Sequence, residues 1–191
     1  MADRMRVRDV ELMRAMAHPL RAALLNYLMA VGPRTASECA AAVDSTASNC
    51  SWHLRQLNGW GLVERVDATD GRERPWRATQ VGLEFGEPGP DPSTRAAWLG
   101  VMASSAANDH VLTQRYLDTV DQLSPDWVQA AGMCTYALRV TPKELTELSQ
   151  MIDELLKPYR TTVRTDAPVE AQPIHASWRA FPRVEADGKV S

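Results

Sequence analysis

This 191-residue sequence has little cysteine and no long apolar stretch, and each shortage excludes a class of protein. Its three cysteines, Cys39, Cys50 and Cys134, are scattered and form no C-x-x-C pair, which excludes a disulfide framework. We expect Cys39 and Cys50 to be buried small hydrophobes. No run of about 18 apolar residues occurs, so no transmembrane helix is predicted. The charged amino terminus lacks an apolar signal core, so we expect a cytoplasmic protein.

The sequence also lacks the short motifs of common enzyme active sites. It contains no Gly-rich phosphate loop, no H-E-x-x-H and no G-x-S-x-G. Its acidic residues are scattered over predicted helical surfaces without an obvious convergent pair. We therefore expect no catalytic residues, no metal and no cofactor, and an enzyme is the least favoured class.

Lysine is absent from the first 80 residues, where eleven arginines and nine acids give a net charge of +2. Residues 81–191 carry ten basic and fifteen acidic side chains, a net charge of −5, so the whole chain has −3. The net negative charge of the whole chain argues against a nucleic-acid-binding protein, whereas the net positive charge of residues 1–80 favours one. Its charge is carried by arginine, which forms bidentate contacts with phosphate and guanine.

Hydrophobic periodicity predicts four helices and a hairpin between residues 8 and 80. Short extended runs, "LVERV" and "RPWRAT", flank an Asp70-Gly71 turn signal. The helices carry end signals, which are Pro19 and Gly32 for the second, Thr35 for the third, and Ser45 or Thr46 with Gly59 or Gly61 for the fourth. This order is typical of a winged helix-turn-helix, which we assign to residues 1–85 of a mainly α (α+β) chain.

The second half begins after a Pro/Gly-rich linker, "GEPGPDPS", at residues 86–93. A long helix from Ser93 to about residue 123 has a charge-poor middle of small residues, which indicates a dimer interface. Alternation predicts strands at 132–141 and 173–182 that can pair, with an amphipathic helix capped by Thr141 between them. We assign residues 93–183 to dimerisation and possible ligand sensing in a small α/β region, and 184–191 to a flexible tail.

Three strings together resemble the ArsR-type family of bacterial winged-helix transcriptional regulators. They are "AHPLRAALLNYL", "SWHLRQLNGWGLV" and "DGRERPWRAT", in the family's order and spacing over residues 8–80. The second half looks like the C-terminal extension of some actinobacterial regulators of this group. Metal-sensing members carry paired cysteines or Asp/His clusters, whereas this chain offers Cys39 alone and the adjacent Asp109 and His110, so we expect no metal site.

The fourth helix has two faces at helical spacing. Cys50, Leu54 and Leu57 form a stripe that we expect to face the core. If this stripe is buried, the opposite face enters the major groove of DNA, and two arginines of the wing contact the backbone or minor groove. The predicted DNA-binding residues are Ser48, Asn49, Ser51, Trp52, Arg55, Arg72 and Arg74. Three alternatives remain open: Trp52 packs under the wing, Arg55 pairs with an acid such as Glu64, or the polar groups are merely solvated.

The second half contains large apolar residues that can line a cavity for an organic effector. The candidate ligand-binding residues are Trp98, Met102, Trp127 and Trp178, and the alternative is that they form the core. These patterns favour a homodimeric repressor that binds a palindromic operator on double-stranded DNA and is released by a hydrophobic small molecule. The alternative from another class is a winged-helix module that binds protein and does not read DNA.

Overall fold

A computed structural model describes residues 4–67 and 74–190 and shows a mainly helical chain with two two-stranded sheets. The first part contains β1 (Met5–Val7), α1 (Val10–Met16), α2 (Pro19–Val31), α3 (Ala36–Ala42), α4 (Ala47–Gly59), β2 (Val63–Arg65), β3 (Trp76–Ala78) and β4 (Leu83–Phe85). The second contains α5 (Pro92–Thr119), α6 (Pro125–Ala130) and α7 (Pro142–Leu156), with 3₁₀ turns at Val120–Gln122 and Lys157–Tyr159. The predicted winged helix-turn-helix followed by a long helix is confirmed.

Helix ends follow the capping residues of the sequence. In α3, the Glu38 N–H donates to Thr35 Oγ1 at 3.2 Å, and the Thr35 N–H donates to Glu38 Oε2 at 2.7 Å. Thr46, and not Ser45, caps α4, because Thr46 Oγ1 accepts from the Asn49 N–H at 3.2 Å. These local bonds explain why short segments with little apolar content start where they do.

The core lies between α1, α2, α3, α4 and the first half of α5. Leu24, Leu25 and Leu28 of α2 are fully buried in this core, and each contributes on the order of 1.5–3 kcal/mol through burial. From α5, Ala97 and Val101 join the same core. The long helix is therefore attached to the helix-turn-helix along its amino-terminal half.

Two small sheets complete the front module. The predicted hairpin is present as β2 and β3, paired antiparallel from Val63 with Ala78 to Arg65 with Trp76, while its Asp70-Gly71 turn lies outside the described residues. A second sheet, in which β1 pairs in parallel with β4, was not predicted. Strands of three residues leave almost no periodic signal, and the pairing forms because the chain returns past its own start.

The second half differs from the prediction in its strands. Helices α5 and α7 are confirmed, with Thr141 capping α7, and a short helix, α6, was not anticipated. The strands predicted at 132–141 and 173–182 are wrong for the single chain, since neither segment pairs with another described segment. Alternation specifies an extended chain, but a strand also needs a neighbour to complete its hydrogen bonds. No helix within residues 4–67 and 74–190 has both the length and the apolar character to cross a membrane.

Candidate nucleic-acid interface

The turn between α3 and α4 depends on one residue in a left-handed conformation. Asp44 has φ of 53°, a region in which aspartate is among the better-tolerated residues with a side chain. The Ser45 N–H then donates to the Ala40 carbonyl at 3.0 Å, which closes the turn over the end of α3. The reversal packs α4 against α3 and α2. This is the arrangement of a helix-turn-helix, with α4 as its second helix.

The inner face of α4 is the predicted stripe. Cys50, Leu54 and Leu57 each have 0% of their surface exposed, which confirms that prediction. Asn58 adds a polar contact, because its Nδ2 donates to the Val63 carbonyl at 2.8 Å and ties the end of α4 to β2. The helix is thus held along its length, so its outer face is presented as a rigid unit.

The outer face of α4 carries the predicted contact residues. Ser48, Asn49, Trp52 and Arg55 are exposed, and Ser51 is half-buried. Trp52 is 49% exposed and meets His53 edge-on at 4.7 Å between ring centroids, so it is not buried under the hairpin. Arg55 makes no hydrogen bond or ion pair with a described residue. These side chains stand on one surface of the helix, as the spacing predicted.

Two contacts between neighbouring side chains bear on what Asn49 and Arg55 can bind. The Asn49 Nδ2 group donates to Ser45 Oγ at 3.1 Å, which orients the amide and leaves its carbonyl oxygen and second N–H available. Glu64, the proposed partner of Arg55, instead binds Arg77 at 2.7 Å. Among the described residues, no acid therefore occupies the guanidinium of Arg55.

A pair of histidines lies behind this face and was not recognised as a pair from the sequence. His53 is only 5% exposed, and its ring centroid is 4.5 Å from that of His18 at the start of α2. Burial, followed by the charge of Arg21, lowers the pKa of His18. Burial, followed by His18 and Arg21, lowers the pKa of His53. Both imidazoles are therefore uncharged near neutral pH, which suits packing at the α2–α4 contact.

The base of the wing is organised by Arg65, which sequence reasoning missed. Its guanidinium lies 4.0 Å from the ring centroid of Trp76 and donates to the Arg74 carbonyl. Arg65 and Trp76 are paired residues of β2 and β3, a register that a hairpin centred on residues 70–71 would have indicated. The Arg74 side chain is exposed, and Arg72 lies outside the described residues. The described part of the wing thus carries two cationic side chains, Arg65 stacked on Trp76 and Arg74 exposed.

The four candidate ligand-binding residues lie on different elements. Trp98 and Met102 are on α5, where the Trp98 indole N–H donates to the Gly86 carbonyl at 2.7 Å and Met102 packs against the core. Trp127 is half-buried on α6, and Trp178 is 37% exposed with its N–H on Ser149 Oγ at 3.2 Å. Two surface clefts of about 470 and 490 Å³ include none of these four residues.

The cysteine prediction is confirmed for the front module. Cys39 and Cys50 are fully buried, and burial, followed by the neighbouring Cys50, raises the pKa of Cys39 to about 11. A thiol with so high a pKa stays protonated and unreactive. Asp109 is engaged by Arg179 and by His175 Nε2 at 3.3 Å, and His110 is exposed. No group of three or more potential metal ligands occurs among the residues that the structure describes.

Comparison with known proteins supports the class that this geometry defines. Residues 16–66 match the family model described as a helix-turn-helix domain, which spans α2, α3, α4 and β2. A search of curated proteins gives no match for the chain. The chain therefore contains a winged helix-turn-helix domain, the architecture used by many DNA-binding proteins.

Several solved structures with a loose likeness to this chain are described as transcriptional regulators. A probable transcriptional regulator from Pseudomonas aeruginosa is 14% identical, with 78% of this chain and 92% of that chain covered and a TM-score of 0.33. A MarR-family regulator from Silicibacter pomeroyi is 16% identical, with 79% and 84% covered and a TM-score of 0.33. MepR, a transcription regulator of the Staphylococcus aureus multidrug efflux pump MepA, is 17% identical, with 76% and 91% covered and a TM-score of 0.32. These TM-scores denote only a loose likeness of overall shape.

Proposed function

We propose that this protein is a sequence-specific, DNA-binding transcriptional regulator of the ArsR type that acts by binding and not by catalysis. The observation that carries the proposal is the outer face of α4, where Trp52 and Arg55 stand exposed on a helix whose opposite face is fully buried. A helix presented in this way fits the major groove of B-DNA. The helix-turn-helix match over residues 16–66 supports the same conclusion. Such a protein works in the cytoplasm, on chromosomal DNA.

Each contact residue has a role that follows from its chemistry. Arg55 reads guanine through paired hydrogen bonds or clamps a phosphate, and Asn49 pairs with adenine. Ser48 and Ser51 donate to bases or phosphates near the start of α4, where the free N–H groups also favour anions. Trp52 lies against a thymine methyl group or a sugar edge. Arg72 and Arg74 of the wing hold the backbone and set register more than sequence preference.

We further propose a homodimer on a palindromic operator. One module offers few base contacts, so useful specificity requires two copies of α4 about one helical turn of DNA apart, or a multiple of that distance. The division into residues 1–85 for DNA binding, 93–183 for dimerisation and sensing, and 184–191 as a tail fits this proposal. The attachment of α5 to the core couples any movement of the second half to the position of α4.

A ligand-released repressor is the form of regulation that we propose. Arg115 in the second half of α5 donates to the Ala42 carbonyl at the end of α3, at 2.6 Å. A hydrophobic effector that fits one dimer geometry better than another would shift α5, and through this bond the helix-turn-helix. Trp98, Met102, Trp127 and Trp178 remain the candidate effector contacts. Calorimetry with hydrophobic compounds tests this step, which fails if none binds or if binding leaves DNA affinity unchanged.

Fluorescence anisotropy with DNA from upstream of the protein's own coding region tests the function. Arg55→Ala should cost about 1–3 kcal/mol on the cognate site and less on random DNA, because it removes a base contact. Arg74→Ala should weaken both by similar factors, since a phosphate contact is independent of sequence. Arg95→Ala, which removes an exposed charge from α5, is the matched control and should leave affinity unchanged. An equal loss on cognate and random DNA from Arg55→Ala would refute base reading.

The alternative is a winged-helix module that binds another protein, which the net charge of −3 favours. A salt series separates the two functions. DNA binding releases counterions, so its affinity falls steeply and linearly on logarithmic axes as salt rises. Absence of binding to any duplex at low salt, together with retention of a protein partner, would favour the alternative.

A further inference from the structure

The single chain exposes more surface than a compact protein of its mass. Its accessible area is 13385 Å² for 21.2 kDa. A compact monomer of that mass exposes about 9,100 Å², so the excess is about 4,300 Å². An obligate homodimer removes roughly 1,000–2,500 Å² from each chain. The excess is large enough to contain such an interface.

The excess surface lies in the second half. Among the described residues no buried side chain follows Ser104, so residues 105–190 have no core of their own. Many of their apolar side chains are exposed instead, and on α7 Met151 is 61% and Leu155 70% exposed. A segment with capped helices and so much exposed apolar surface requires a partner to cover it.

Two extended segments within this half have unpaired backbones. Residues 132–140 and 172–183 contain no turn, bend or helix, and their N–H and C=O groups form no backbone hydrogen bond with any described residue. Both carry exposed apolar side chains, which are Met133, Tyr136, Leu138 and Val140 in the first and Ile174, Trp178 and Phe181 in the second. Unpaired apolar strands of this kind are templates for pairing with another strand.

The second segment is already fixed to its own chain on one side. Arg179 binds Asp109 and donates to the Ser105 carbonyl at 3.2 Å, which holds the segment on the middle of α5. The Trp178 indole N–H contacts Ser149 of α7 at 3.2 Å. These side-chain bonds position the segment and leave its backbone groups available. Residues 132–140, by contrast, are exposed throughout.

We propose that residues 105–190 complete their fold only against a second copy of this chain, with segments 132–140 and 172–183 pairing as strands across the subunit interface. This inference rests on the homodimer of the proposed function and adds how the dimer is built. A second copy is the occupant because each chain has two open strands of similar length. Under two-fold symmetry one segment of each chain can meet the other segment of its partner, so that each open segment gains a hydrogen-bonded neighbour along one edge.

Proline substitutions test the strand pairing, because proline removes the backbone donor that a ladder requires. Successive N–H groups point to opposite edges of a strand. Ala137→Pro therefore removes a donor from one edge, and Leu138→Pro removes a donor from the other. Leu138→Val is the matched control, since it keeps the N–H group and an apolar, strand-favouring side chain. Sedimentation equilibrium should show a wild-type dimer and a dissociation constant raised at least about tenfold by one of the prolines, but not by valine.

Isotope-filtered NMR identifies the partner strand directly. In a mixture of labelled and unlabelled wild-type chains, contacts between residues 132–140 and 172–183 should appear between subunits. A monomeric wild type, contacts only within one chain, or prolines without effect on dimerisation would each overturn the inference. Circular dichroism of each variant checks that α5 and α7 remain folded.

DNA binding separates the two proposals. If wild-type chains dimerise and bind operator DNA while both prolines leave dimerisation unchanged, only the strand pairing is wrong. If the prolines dissociate a wild-type dimer that binds no duplex, the strand pairing stands and the proposed function fails.

Discussion

Gly100 lies in the middle of the buried part of α5. For Gly100→Ala, helix propensity and packing predict opposite changes in the free energy of unfolding. In an α-helix, Gly→Ala ordinarily stabilises by about 1 kcal/mol, because alanine loses less backbone freedom on folding. A Cβ added at Gly100, however, would lie 2.9 Å from the Cβ of Ala17 at the end of α1. Carbon atoms pack best at about 3.5–4.0 Å, so α1 and α5 would have to move apart.

Both atoms are attached directly to backbone, so neither can rotate away. Overpacking of this kind costs about 1–3 kcal/mol, which offsets or exceeds the helix-propensity gain. We therefore expect Gly100→Ala to have a free energy of unfolding up to about 2 kcal/mol below wild type. Gly100→Val, with two further methyl groups, should lose more.

Urea unfolding at one fixed protein concentration measures the effect. Ala17→Gly combined with Gly100→Ala moves the methyl group from one helix to the other and is the matched control. The double variant should recover at least about 1 kcal/mol relative to the sum of the single variants, because the two positions are in contact. Stabilisation by the full propensity gain in Gly100→Ala alone would show that the helices are not this close.

Three further outcomes are expected. The pKa values of His18 and His53 lie below the ordinary histidine value of about 6.5, so the unfolded chain binds more protons and stability should fall as the pH drops through about 6.5. His18→Gln should flatten this dependence in urea titrations between about pH 7 and pH 5, and an unchanged slope would exclude the pair as its source. Thr46→Ala should cost about 1 kcal/mol of unfolding free energy by removing the cap of α4, whereas Thr46→Ser should cost much less, and equal losses would contradict the capping role. Arg65→Ala should speed hydrogen exchange at the β2–β3 hairpin by removing the group stacked on Trp76, with Arg65→Lys intermediate, and unaltered exchange in both would show that the stack does not hold the wing.

The elements of the front module could be predicted from sequence because their signals are local. Thr35 with Glu38, Pro19 and Gly32 mark helix ends through bonds and torsions that involve only a few neighbouring residues. The two faces of α4 follow from helical geometry alone, and burial of Leu54 and Leu57 confirmed the assignment. By the same reasoning, exposure of Trp52 and Arg55 was predictable once the stripe was identified.

The details of the candidate site depended on contacts between elements. The meeting of His18 with His53, and of Arg65 with Trp76, requires a particular packing of α2 on α4 and a particular hairpin register. The sequence offers Glu64 as a partner for Arg55, and only the register of β2 with β3 shows that Arg77 binds this carboxylate. Sequence spacing does not encode such distances.

By itself, the sequence determined where most helices begin and end and which face of α4 points outward, because capping bonds and helical periodicity act within a few residues. Tertiary structure decided the β1–β4 pairing and the packing of α5 against the front core. It also left segments 132–140 and 172–183 without a paired strand among the described residues of the chain. The physical reason is that a strand is defined by hydrogen bonds to a neighbour distant in sequence or on another molecule, and alternation along a segment carries no information about which neighbour that is.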